Sequence, residues 1–139
     1  LNLRDLTKLF RKSLSKKVFS SRQGLGRWGE DQAVRYLKKS GYRILKRNFH
    51  ALGGEIDVVA TKDAVLVFVE VKTQDGQGAI SPELRIGNSK RKQISRLAKY
   101  YVTRTKGNYE EVRLDVIAVT RLHGKAEIKH LEGAFGADR

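Results

Sequence analysis

The chain has no cysteine and no methionine, one proline, and three histidines in 139 residues. Without cysteine there can be no disulfide, thiol nucleophile or thiolate zinc site, and His50, His123 and His130 are too dispersed to suggest a zinc cluster. Any metal must be held by oxygen. Acids are scarce as well: 15 Asp and Glu stand against 29 Lys and Arg, a net charge of +14. Such a surplus makes a polyanion the favoured partner, nucleic acid first and an anionic membrane surface second. No apolar run approaches the roughly 18 residues that cross a bilayer. The charged N-terminus also lacks the apolar stretch and small-residue cleavage site of a signal peptide. The sequence thus predicts a cytoplasmic protein with no transmembrane segment. Because it lacks Met and begins at Leu1, the numbered segment is expected to lack its natural start.

What is present is enough for one modest core, a hydrophobic share of 40% gathered in short Val, Ile and Leu runs. Residues 1–23 read as a basic N-terminal extension, 24–132 as a single domain, and 133–139 as a C-terminal tail. The extension spaces Leu3, Leu6, Phe10 and Leu14 almost helically among basic residues, which suits a surface helix or an arm for nucleic acid or membrane. Gly24 and Gly26 punctuate the chain, and a helix is expected from Trp28 to Lys39 with Ala33, Val34 and Leu37 inward. Glu30 falls on that same inward face, where an unpaired charge costs several kcal/mol. A strand over Tyr42–Phe49 and a turn at Gly53-Gly54 follow. The apolar runs 55–60 and 64–72 then form a hairpin about Lys62-Asp63. Their near-continuous apolar character predicts an α/β or α+β sheet covered on both faces by helices. Residues 73–88 read as a long loop. A helix over Ser89–Thr103 buries Ile94, Leu97, Ala98 and Tyr101 and turns Lys90, Arg91, Lys92, Arg96 and Lys99 outward. Strands near Val112–Thr120 and Ala126–Leu131 complete the reading.

If Thr61 pairs with Ala64, Asp57 lies opposite Phe68 and Glu55 opposite Glu70, and the period of two puts Asp57, Glu70 and Lys72 on one sheet face. Burying such groups opposes folding unless something holds them. Mg²⁺ or Mn²⁺ resolves the conflict, since these ions take carboxylates, carbonyls, water and phosphate oxygens. An ammonium beside that cation suits phosphodiester hydrolysis, with Glu30 to orient a water or hold a second cation. The bland alternative is a partly solvated ion-pair group, and the coincidence of four such features in a basic chain weighs against it.

Asp57, followed by Glu70-Val71-Lys72 with a Glu30-bearing helix upstream, resembles the Asp…Glu-x-Lys signature of the restriction-endonuclease-like (PD-(D/E)XK) nuclease superfamily. More closely, Gly29-Glu30, Gly41-Tyr42, Asn48, Gly54-Glu55-Ile56-Asp57, Val67–Lys72 and Arg113-Leu114-Asp115-Val116 resemble the YraN family of small bacterial proteins, over roughly residues 24–120. The resemblance implies a mixed sheet flanked by helices, related to archaeal Holliday junction resolvases. It implies Asp57, Glu70 and the backbone carbonyl of Val71 as metal ligands, Lys72 as catalytic lysine and Glu30 as helix-borne acid. The chain carries His50 and Gln74 where that family often has Arg.

The expected function is metal-dependent hydrolysis of DNA, with branched substrates suggested by analogy alone and a homodimer suited to a two-strand cut. The alternative is a non-catalytic nucleic-acid-binding module. The basic helix residues Lys90, Arg91, Lys92, Arg96 and Lys99 are the expected phosphate contacts, sequence-independent and salt-sensitive. Asp115 is read as a structural hydrogen-bonding acid, Trp28 as a core anchor, Gln93 as a surface residue, and Glu55 as either solvated or part of the site.

Overall fold

The run Val65–Val71 is too continuously apolar to leave either face in water, and the fold answers by placing one helix on each side of it. A computed structural model describes residues 22–76 and 87–134. In chain order these form α1 (Arg22–Lys39), β1 (Arg43–Ala51), β2 (Gly54–Lys62), β3 (Val65–Asp75), α2 (Asn88–Arg104), β4 (Glu111–Leu122) and β5 (Lys125–Leu131). The strands make one mixed sheet in the order β1-β2-β3-β4-β5. Only β3 and β4 run parallel, and α2 lies in the chain between them, as a parallel crossover requires. Of the expected extension over 1–23, residues 22 and 23 belong to α1, and of the expected loop over 73–88, Thr73–Asp75 extend β3 and Asn88 opens α2. Residues 1–21, 77–86 and 135–139 lie outside the described residues.

Two cores follow from the two covered faces. Phe68, Leu66, Val59 and Leu114 meet Ile94, Leu97 and Tyr101 of α2. On the other face Val58, Val67, Val69, Ile117 and Val119 meet Ala33, Val34 and Leu37 of α1. Alternation along β3 feeds both: even positions go to α2 and odd positions to α1.

The structure corrects three local expectations. Helix α1 begins at Arg22, not at Trp28, and runs through both Gly24 and Gly26. A glycine inside a helix costs about 1 kcal/mol against alanine, too little to end the helix: Gly24 is buried, a Cβ on Gly26 would meet open space, and only at Gly29, where a Cβ would collide with Thr73 of β3, does packing require glycine. The β1–β2 turn is Leu52-Gly53, with Gly54 already in β2. The β2–β3 turn is Asp63-Ala64, so Lys62 pairs with Val65, and Thr61 with Leu66 rather than Ala64. That moves the register by two residues, which changes partners and preserves faces.

Asp63 and Ala64 have φ of 50° and 63°, the left-handed pair that a two-residue hairpin of matching twist needs. A Cβ makes that conformation costly at Ala64. Ala64→Gly is therefore expected to stabilise the protein by about 0.5–1 kcal/mol, read as a higher urea midpoint at unchanged slope. A lower midpoint would place the turn in another conformation.

Candidate active site at a fork in the sheet

The pairing of β2 with β3 stops at Val58↔Val69. One step beyond, the Val71 N–H donates not to a backbone carbonyl but to Asp57 Oδ2 at 2.8 Å. The N–H and C=O of one strand residue point to the same side, so the Val71 carbonyl also faces β2 past the last backbone pair. The alternation of β2 breaks at the same place: Ile56 joins the α2-side core although Val58 joins the α1-side core. On β1, Asn48 takes a φ of 51° between the pairs Arg47↔Val58 and Phe49↔Ile56. The sheet forks at Asp57, and groups from its two faces meet there.

Glu30 of α1, Asp57 of β2 and Glu70, Val71 and Lys72 of β3 line one cleft of about 350 Å³, with Leu25, Gly26 and Thr73. All four side chains expected from sequence are thus brought together. Glu70 is 6% exposed. Its Oε1 lies 3.5 Å from Lys72 Nζ and its Oε2 3.9 Å from Lys90 Nζ. Oε2 is buried without a hydrogen-bond partner among the described residues. Such an orphan is uncommon in folded proteins and asks for a partner.

The acids hold their protons more tightly than usual. Burial, then the Asp57 charge, push the Glu70 carboxyl up to about 7, with Lys90 and Lys72 pulling the other way. Glu30 is pushed up to about 7, first by burial and then by Asp57, against the pull of Arg47. Asp57 is raised as well, by burial first, with the Val71 N–H bond opposing and Glu55 adding. Clustered carboxylates pushed up together are a common signature of a cation or proton-transfer site. Among the described residues no three His, Cys, Asp or Glu side chains form a ready metal cage. A cation would accordingly rest on two carboxylates, a carbonyl and water.

Two participants were not placed here from sequence. With its amide turned to satisfy both groups, Asn48 donates to Glu30 Oε1 at 2.9 Å and to Glu55 Oε1 at 3.0 Å. It links Glu55 to Glu30, although the Glu55 side chain is 40% exposed and lies outside the lining of the acid cleft. The available signal was an Asn inside a strand, where Asn is depleted. Lys90 was expected on an outward basic face, yet from the first turn of α2 it reaches Glu70. Arg91, Lys92, Arg96 and Lys99 do lie on the exposed side of α2. His50 sits 3.4 Å from Glu55, and Gln74 donates to Thr120 Oγ1 at 3.2 Å. Gln93, read as a surface residue, braces the β1–β2 turn by donating to the Gly53 carbonyl at 3.5 Å. Trp28 packs on the α1-side core as expected, with Arg121 5.9 Å from its ring.

Asp115 is a separate matter. Fully buried, it accepts from Arg113 Nε at 2.8 Å, Arg113 Nη2 at 3.0 Å, the Gly133 N–H at 2.9 Å and His130 Nε2 at 2.6 Å. The Nε2–H tautomer of His130 leaves Nδ1 to accept from the Tyr36 hydroxyl at 3.1 Å. Its four acceptor positions are filled by protein, which bears out the structural reading.

Architecture and cleft together define a mixed α+β protein: a five-stranded sheet, a helix on each face, and acids and lysines gathered at a fork. Comparison with known proteins narrows this. Residues 29–119 match the model of the uncharacterised protein family UPF0102. The chain is 44% identical over 117 residues to a UPF0102 protein of Syntrophotalea carbinolica, covering 84% of this chain and 95% of the relative. It is 41% identical over 111 residues to one of Syntrophomonas wolfei (80% and 96%), and 46% over 113 residues to one of Geobacter sulfurreducens (80% and 88%). The chain belongs to the UPF0102 family, as its YraN-like motifs indicated. No helix among the described residues is long and apolar enough to cross a membrane.

Proposed function

We propose that this protein is a metal-dependent nuclease with a restriction-endonuclease-like core, similar to archaeal Holliday junction resolvases, acting on DNA in the cytoplasm. The observation that carries the reading is Glu70 Oε2, a buried carboxylate oxygen without a hydrogen-bond partner among the described residues, on a side chain that lines one cleft with Asp57 and Glu30. A hard divalent cation fits that donor set. Asp57, Glu70 and the Val71 carbonyl would hold it, and Mg²⁺ or Mn²⁺ there would supply Lewis acidity to a phosphate oxygen and to water.

The remaining work falls to the chain's own groups. Lys72 Nζ, held beside Glu70 Oε1, offers positive charge where negative charge grows on the phosphate. Glu30, anchored by Asn48, orients the attacking water. Water adds to phosphorus and one P–O ester bond breaks. The bonding pair stays with the leaving oxygen, which takes up the proton that water releases. The exposed cations of α2 grip phosphates on either side without reading sequence.

A second reading has its own support. Lys72 and Lys90 both face Glu70 and can neutralise it without a cation, as a non-catalytic DNA-binding module would need. One experiment separates the two: labelled duplex, single-stranded and four-way-junction DNA incubated with Mg²⁺, Mn²⁺ or EDTA, with wild type beside Lys72→Ala. The nuclease reading expects cutting that needs metal and is lost in the variant. Salt-sensitive binding without cutting by either protein would overturn it in favour of the module.

A further inference from the structure

Among the described residues, three two-residue hairpin turns place both central residues at positive φ: Leu52-Gly53 (51° and 75°), Asp63-Ala64 (50° and 63°) and His123-Gly124 (51° and 72°). At the first position Asp and His are among the side chains that tolerate this conformation best, whereas a bulky aliphatic one is an outlier. The leucine falls in the turn beside the acid cleft. A lone exposed leucine is ordinary on a protein surface. A 58% exposed leucine held in a left-handed turn incurs both a conformational and a solvation cost.

The turn is also braced. Gln93 of α2 donates to the Gly53 carbonyl at 3.5 Å, and a Cβ on Gly54 would lie 2.6 Å from the Gln93 side chain. The Gln93 side chain thus packs directly on the turn backbone, and beside it lies a second cavity of about 580 Å³, lined by His50, Ala51, Gly53, Gly54, Glu55, Lys90 and Gln93, with Leu52 next in the chain to two of them. That volume lies within the roughly 300–1,000 Å³ of small-molecule sites. Lys90 links it to the acid cleft, since its Nζ also faces Glu70.

Resting on the nuclease reading, we propose that this turn and pocket form a subsite for an unpaired nucleotide next to the phosphate that is cut, with Leu52 as the apolar rim on which its base stacks. Apolar side chains of this kind open base steps in other DNA-binding proteins, and a base face needs an apolar surface while its edge and phosphate need donors. Leu52 supplies the first; Gln93 and Lys90 supply the second. The charge of +14 favours DNA over an apolar protein partner as occupant.

The test uses binding in EDTA, so that cleavage plays no part. A forked duplex with 2-aminopurine at the fork and a fully paired duplex of equal length are titrated with wild type and with Leu52→Asn. Wild type is expected to prefer the fork about tenfold, the scale of one stacked base, and to change the 2-aminopurine fluorescence. Leu52→Asn, better suited to the turn, is expected to melt no lower, to bind paired duplex within about twofold of wild type, and to lose the fork preference. A fork preference kept by the variant, or absent in wild type, overturns the subsite. So does Leu52-dependent binding to anionic vesicles without fork preference. Fork preference lost in the variant while wild type cuts nothing with Mg²⁺ would instead remove the nuclease reading and leave the subsite standing.

Discussion

Asp57→Asn is expected to abolish metal-dependent cleavage while leaving the fold and DNA binding intact. Disturbing the outer partners of a metal ligand already costs about 10–100-fold, so loss of a charged ligand is expected to cost about a hundredfold or more. The fold is spared because Asn keeps an oxygen that can accept the Val71 N–H, now bonded to Asp57 Oδ2 at 2.8 Å. One negative charge also leaves a group in which Glu30, Glu55 and Glu70 press on Asp57 or are pressed by it. The metal-free variant is thus expected to melt at least as high as wild type and to hold DNA as tightly or more so, with less repulsion of phosphate. Single-turnover cleavage, thermal melting and a binding titration at one salt concentration check the three parts. Unchanged cleavage would remove Asp57 from the site.

That site could be found in the sequence because strands have a period of two. Pairing residues 55–60 with 64–72 puts Asp57, Glu70 and Lys72 on one face in any register slipped by an even number, and the observed register differs from the expected one by two. The ladder ends before Asp57, however, where the alternation of β2 breaks, so the period of two picked out the right residues without fixing the face of Asp57. Glu30 followed from helical periodicity in the same way, with Ala33, Val34 and Leu37 buried around it. The fork was not legible. Nothing in an apolar run says where its ladder ends, and the substitution of the Asp57 carboxylate for a backbone carbonyl is a tertiary event. Lys90 escaped for a related reason: a helical wheel assigns a direction at Cα, whereas a long side chain at the end of a helix can swing across the sheet edge. The early start of α1 escaped because Gly24 and Gly26 are read locally as breakers, whereas the helix runs through both and buries Gly24. Family likeness carried Asn48 into view without giving it a role, and only the folded chain ties it to Glu30 and Glu55.

Asp115 sets the second large effect, on stability instead of chemistry. Burial alone would raise its pKa, but hydrogen bonds from His130, Arg113 and the Gly133 N–H outweigh burial and hold the carboxyl below its ordinary value. The folded state therefore binds fewer protons at this group than the unfolded chain does. The stabilisation it gives is present above the ordinary Asp pKa of about 4 and is lost as pH falls through the lower folded value. In Asp115→Asn an NH2 group replaces one acceptor oxygen and faces donors on Arg113 with either His130 or Gly133, and the mostly buried guanidinium loses its counter-charge. Arg113 also touches Tyr42 through Nη2 at 2.6 Å and Glu132 through Nη1 at 3.7 Å, which is too little to replace a bidentate carboxylate. Breaking a buried pair by removing one partner costs about 3–5 kcal/mol, a large share of the roughly 5–15 kcal/mol that holds a domain together. Urea unfolding at pH 7 should show that loss. Repeated toward pH 3, it should show wild type losing stability and the variant losing less, because the titrating group is gone. The folded fraction of Asp115→Asn should still cut DNA with Mg²⁺, since Asp115 belongs to the Arg113–His130–Gly133 network and not to the cleft of Asp57 and Glu70. A variant equally stable at pH 7 but unable to cut would reverse that assignment and move Asp115 into the chemistry.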